Sequence, residues 1–125
     1  MKYLLDTHIL IWAANSSLPK AARNYFSEEN ELFFSPVSIW EIVIKRSLNR
    51  DDFQIDPDAF YSGLRQAGYK ELAVSSRHAL GIQALSQLHK DPFDRMLLSQ
   101  AISERMDLIT ADERLVTYPA RVILV

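Results

Sequence analysis

The 125-residue chain contains no cysteine, so neither a disulfide framework nor a thiolate metal site is open to it. Three glycines and five prolines are too few for a repetitive or linker-rich segment, and no block of like charge marks a tail. No apolar run approaches the length needed to span a bilayer. The opening Met1-Lys2-Tyr3-Leu4-Leu5 meets Asp6 too early for the apolar core of a signal peptide. These absences lead to the expectation of a cytoplasmic protein without membrane association. An excess of positive charge is lacking as well: 14 Lys and Arg face 16 Asp and Glu, a formal net charge of -2. A bulk positive field therefore does not supply a grip on nucleic acid. The sum discriminates poorly if some acids surround bound cations, because such ions are often the largest local charges in a site.

What is present is hydrophobic content of 48%, enough to fill one core, and a single domain over residues 1–125 is expected. Lys2 to Leu5 reads as a strand and Ile9 to Ala14 as a helix that stops near Asn15-Ser16-Ser17. Pro19 suits the first turn of a second helix reaching about Glu29, and Glu31 to Phe34 reads as a strand. Ser35-Pro36 opens a third helix, with Ser35 as N-cap, and Asn49 to Asp56 is loop. Asp56-Pro57 repeats the signal for a helix ending at Gly68, and Glu71 to Val74 follows as a brief strand. Ser75 or Ser76 caps the next helix; Asp91-Pro92 opens the longest one, to about Met106. Leu108 to Thr110 and Arg121 to Val125 are the last strands, separated by a short helix from Ala111. Alternating strands and helices, with strands that lack a polar face, predict an α/β fold: a parallel sheet covered by helices on both sides. Ligands in such sheets bind beyond the carboxyl ends of the strands.

Four acids fall where that rule looks. Asp6 ends the first strand, though an Asp there also serves as a helix N-cap. Asp112 follows the strand Leu108 to Thr110 by two residues, where first-turn helix electrostatics shared with Glu113 are the alternative. Glu41 lies with Ser38 and Lys45 on a narrow polar strip of an otherwise apolar helix, and an i,i+4 ion pair with Lys45 is the plain explanation. Asp94 begins the stripe Asp94, Leu97, Leu98, Ala101, the core-facing stripe of its helix, so its carboxylate should be partly buried. A buried charge is costly unless paired, hydrogen-bonded or metal-bound. The competing reading makes Asp91 the N-cap and Asp94 an acid of the first turn. Four like charges at one rim raise one another's pKa unless cations are present. An all-oxygen set of this kind suits Mg²⁺ or Mn²⁺, and that chemistry is phosphodiester hydrolysis. His8, His78 and His89 are too scattered for a zinc site and read as ordinary surface or core residues.

The segments Leu4-Leu5-Asp6-Thr7-His8, Ser38-Ile39-Trp40-Glu41-Ile42, His89-Lys90-Asp91-Pro92-Phe93-Asp94-Arg95-Met96-Leu97-Leu98-Ser99-Gln100-Ala101 and Ile109-Thr110-Ala111-Asp112-Glu113-Arg114 occur in this order and resemble the PIN domain, specifically VapC-type toxins of type II toxin–antitoxin systems. The resemblance spans nearly the whole chain and departs at none of the four acids. It implies a three-layer sandwich with a parallel five-stranded sheet, Mg²⁺- or Mn²⁺-dependent endoribonuclease activity on RNA, homodimerisation, and inhibition by a small VapB-like antitoxin. It also implies Asp6, Glu41, Asp94 and Asp112 as the catalytic, metal-binding centre, with Thr110 supporting it by hydrogen bonding. Asp91 and Arg95 are weaker candidates, Arg95 having the alternative of a plain surface position. A receiver-like or haloacid-dehalogenase-like domain would also place an acid after its first strand. Asp6-Thr7-His8, however, lacks a second acid two residues on, no suitably placed Lys follows a late strand, and no Gly-rich phosphate loop exists. The other alternative is a non-catalytic PIN-like interaction module.

Overall fold

Strands with no polar face must be covered on both sides, and the chain achieves this with helices. The structure is a computed structural model that describes residues 1–85 and 90–125. The strands are β1 (Lys2–Leu5), β2 (Glu31–Phe34), β3 (Lys70–Glu71), β4 (Asp107–Thr110) and β5 (Val122–Leu124); the helices are α1 (Thr7–Ala14), α2 (Lys20–Arg23), α3 (Pro36–Ser47), α4 (Pro57–Gln66), α5 (Ser76–Gly81) and α6 (Pro92–Glu104). Every strand pairing is parallel, and the sheet order is β3-β2-β1-β4-β5.

Side chains alternate across a strand, and the two faces feed two cores. Tyr3 and Leu5 of β1 pack with Leu32, Phe34 and Ile109 beneath Ile9 and Leu10 of α1, Ile42 of α3, and Phe60 and Leu64 of α4. Leu4 and Leu108 face the other way, against Leu97, Leu98 and Ala101 of α6 and against Leu115 and Tyr118. The result is the predicted three-layer α/β arrangement. Among the described residues no helix is long and apolar enough to cross a membrane.

The order places β1 at the centre. From it the chain moves outward to β2 and β3 on one side and returns to build β4 and β5 on the other. The carboxyl ends of β1 and β4 thus flank the switch point at which open α/β sheets bind ligands. This order also differs from 2-1-3-4-5, the strand order of a receiver.

The structure corrects several expected boundaries. The second helix stops at Arg23 and continues only as a 3-10 turn, Asn24–Phe26, because Asn30 caps the bend: its side-chain amide donates to the Tyr25 carbonyl at 3.1 Å and its backbone amide to the Ser27 carbonyl at 3.1 Å. Strand β3 is Lys70–Glu71 rather than Glu71 to Val74, since it finds partners only in Phe33 and Phe34, while Val74 is exposed. Helix α6 ends at Glu104, short of Met106, where Arg105 adopts a left-handed conformation (φ 56°) and the Met106 amide reaches back to the Ala101 carbonyl. The short helix expected from Ala111 is a 3-10 turn, Glu113–Thr117. Gly68 does end α4, at φ 90°, a conformation that favours glycine. His89 lies outside the described residues.

Candidate active site at the sheet switch point

Asp6 is the first residue beyond β1, and its backbone amide stays in the sheet by donating to the Ile109 carbonyl at 3.1 Å. Its side chain is almost fully buried. One carboxylate oxygen accepts from the Ile9 amide at 3.0 Å, so Asp6 is also the N-cap of α1. The other accepts from the Thr110 hydroxyl, and Thr110 Oγ1 in turn accepts from the Asp112 amide at 3.0 Å. One hydroxyl thereby joins the ends of β1 and β4. Burial pushes the Asp6 carboxyl above the ordinary aspartate value, and the nearby Glu41 adds to the shift. The Thr110 and Ile9 hydrogen bonds, together with His8, oppose it.

Glu41 reaches the same place from α3. Ser35 caps that helix by accepting from the Val37 amide at 3.1 Å, with Pro36 at its first position. A fully buried hydrogen bond, Thr7 Oγ1 to Ser38 Oγ at 2.9 Å, fastens α3 to α1 one turn before Glu41. The Glu41 side chain is only 12% exposed, and Lys45 Nζ lies 3.0 Å from its Oε2. Asp91 Oδ1 caps α6, accepting from the amides of Phe93 at 2.9 Å and Asp94 at 3.2 Å. This leaves Asp94 in the first turn, half-buried above the fully buried Leu97, Leu98 and Ala101. Asp112 closes the group beyond β4. It accepts from the Arg114 amide, and its two oxygens receive Arg114 Nε at 3.0 Å and Nη2 at 2.7 Å.

These residues line one cleft of about 530 Å³, in which Asp6, Glu41, Asp91, Asp94, Asp112 and Glu113 are the acids and His8, Lys45 and Arg114 the basic or titratable partners. The capping and ion-pair explanations for the acids hold in the fold alongside their convergence. Among the described residues no three acidic or histidine side chains meet at a single point in the way one ion would require. The donor set nevertheless fits a hard divalent cation: it is all oxygen, comes from four chain segments, and includes a buried anion that a cation would stabilise. Lys45 and Arg114 neutralise two of the carboxylates at the rim, as counter-ions do where like charges crowd together.

Thr110 stands where a supporting hydrogen-bond donor is needed. Arg95 does not line the cleft and, contrary to the surface alternative, is buried: its guanidinium donates to the carbonyls of Ile82 at 3.3 Å and Leu85 at 3.4 Å. It helps to hold the segment before α6.

The sequence matches the PIN domain family over residues 3–120. The chain belongs to the PIN domain family. No curated protein sequence matches it. As a PIN domain it superposes over its full length on VapBC2 from Rickettsia felis bound to a DNA fragment from its promoter, covering 98% of that chain at 20% identity with a TM-score of 0.72. DNA-bound VapBC from Salmonella typhimurium is similar over 98% of this chain and 97% of that one, at 18% identity and a TM-score of 0.70. VapBC-1 from nontypeable Haemophilus influenzae covers 99% and 98% respectively, at 18% identity and 0.66. Likeness at these identities concerns the fold.

The cleft of this PIN domain includes residues that reading the sequence did not assign to it: His8, Trp12, Glu113 and Arg114. The i,i+4 spacing of His8 and Trp12 was the available signal, since it sets both rings on one face of α1, directly after Asp6.

Proposed function

We propose that the protein is a Mg²⁺- or Mn²⁺-dependent endoribonuclease and the toxin of a type II toxin–antitoxin pair, acting in the cytoplasm as a homodimer. The observation that carries this reading is the convergence of Asp6, Glu41, Asp94 and Asp112 on one cleft at the switch point of a PIN domain. In this reading residues 1–125 form one domain. Asp6, Asp94 and Asp112 hold the cation and Glu41 binds it or orients the attacking water, while Asp91 sets the α6 terminus that presents Asp94. Bound there, the cation supplies a water of lowered pKa and offsets charge developing on the phosphate. Thr110 fixes Asp6 through its hydroxyl, and Lys45 and Arg114 are the cleft cations within reach of an RNA phosphate.

The structural neighbours from Rickettsia, Salmonella and Haemophilus are VapBC complexes, which supports a VapB-like antitoxin as partner here. An antitoxin arginine entering the cleft would compete with the cation through its planar, two-point recognition of carboxylates. The exposed apolar strip Trp40, Val43 and Ile44 on α3, continued by Leu48 just past its end and next to Glu41, is surface of the kind that protein partners cover.

The test is cleavage of cellular RNA by the purified protein in Mn²⁺, in EDTA, and as Asp94→Asn. Cleavage that needs Mn²⁺ and disappears in the variant is expected. Full activity in EDTA or in the variant rejects the assignment. Rescue of toxicity by a small product encoded beside this protein tests the antitoxin reading separately.

A further inference from the structure

The aromatic content of the cleft is concentrated on α1. His8 and Trp12 both line it, one turn apart, with ring centroids 5.3 Å apart and planes tilted by 53°. His8 is exposed. Trp12 is half-buried, packed on one flank against the Ile9, Leu10 and Phe34 core while also lining the cleft. An indole held by core packing loses little freedom when something settles on it, whereas a mobile surface ring would. The pair begins two residues after Asp6, and the Trp12 backbone stands about 9 Å along the helix axis from that of Asp6 at 1.5 Å per residue. A single strand with one phosphate at the acids therefore has an unpaired base within reach of the rings.

We propose that His8 and Trp12 form a nucleobase-stacking subsite that binds an unpaired base of single-stranded RNA beside the cleavage point. The proposal rests on the reading of this cleft as an RNA site and adds to it two residues that contact a base. Proteins select single strands by splaying bases onto aromatic planes, which a paired base cannot reach. The subsite would favour unpaired over duplex RNA while tolerating several bases, because every base has a π-face.

The chain has two tryptophans, and Trp40 is exposed on α3, so Trp40→Phe leaves Trp12 as the only indole. In that protein, a short single-stranded oligoribonucleotide added in EDTA, and in Mn²⁺ by stopped flow before product accumulates, quenches Trp12 emission. A matched strand with abasic linkers at the central positions does not. Trp12→Ala weakens binding of the intact strand about tenfold, within the range reported for loss of one base–aromatic stack, and Trp12→Phe retains most of the affinity. The abasic comparison is made on a protein with Trp12 intact, so it decides the matter even if Trp12→Ala folds poorly.

Equal quenching by abasic and intact strands, duplex binding as tight as single-strand binding, or quenching by the cognate partner protein alone overturns the proposal. Cleavage that proceeds without any such quenching removes the subsite and leaves the nuclease reading standing. Base-dependent quenching in a protein that cleaves nothing does the reverse.

Discussion

Replacing Asp6 by Asn is expected to move stability and activity in opposite directions. The wild-type carboxylate is 5% exposed, and burial raises its pKa above the ordinary 3.8. The native state therefore holds this proton more tightly than the unfolded chain does. With cation absent, stability falls as pH rises from the ordinary value through the raised native one. Asn removes the charge and keeps the contacts. Its carbonyl still accepts from the Ile9 amide as an N-cap, and the Thr110 hydroxyl can accept from the new amide while it continues to accept from Asp112 N. Charge-assisted hydrogen bonds are lost, but keeping a buried carboxylate ionised without a bound cation costs more, so a net gain of about 1 kcal/mol in EDTA is expected. At this chain length that is a rise in Tm of roughly 4 °C. Saturating Mn²⁺ reverses the ranking, because a ligand at a hundred times its Kd stabilises the native state by about 2.7 kcal/mol and the variant has lost a ligand. RNA cleavage should fall about 10³-fold, as loss of several kcal/mol of charge stabilisation gives. Thermal melts at pH 7 with EDTA and with Mn²⁺ decide the matter. Equal stabilisation of both proteins by Mn²⁺, or a variant clearly less stable than wild type in EDTA, refutes the reasoning.

Thr110→Val removes the hydroxyl shared by Asp6 and the Asp112 amide; a stability loss of about 1–3 kcal/mol by urea titration and a 10- to 100-fold drop in single-turnover cleavage are expected. Arg114→Gln removes the guanidinium from both oxygens of Asp112 and leaves only the residue-114 amide on Oδ1, so calorimetry should show Mn²⁺ binding a few-fold tighter, a modest gain because Arg114 is largely exposed; weaker binding would make Arg114 a support of the site rather than a competitor. Gly81→Ala places a methyl group 2.6 Å from Ser99 Oγ, which donates to the His78 carbonyl at 2.6 Å. A loss of about 1–2 kcal/mol is expected after the helix-propensity gain, with cleavage unchanged, and combining it with Ser99→Ala should recover part of the loss, read from denaturation midpoints.

Which elements were readable depended on how local their causes are. Caps followed by proline announced α3, α4 and α6, because Ser35, Asp56 and Asp91 satisfy orphan amides within three residues of themselves. The limits of β3 and α2 were not readable. β3 extends only as far as Phe33 and Phe34 offer partners, and α2 yields to hydrogen bonds from Asn30, seven residues beyond its end. Arg95 was misjudged for a similar reason: its partners Ile82 and Leu85 belong to another segment, invisible to the periodicity of its own helix.

The same division runs through the four acids. Sequence alone determined their positions, Asp6 and Asp112 after apolar strands, Asp94 at the head of a core-facing stripe and Glu41 on a polar strip, because strand ends and helix faces follow from local pattern. Only the tertiary structure decided that they share one cleft. Strand β4 pairs beside β1 at a separation of about a hundred residues, and the Thr110 hydroxyl then bridges Asp6 and Asp112. It also decided what shares the cleft with them, placing His8 and Trp12 on one flank and Arg114 at the rim, since neighbours across a sheet are set by packing and not by spacing along the chain.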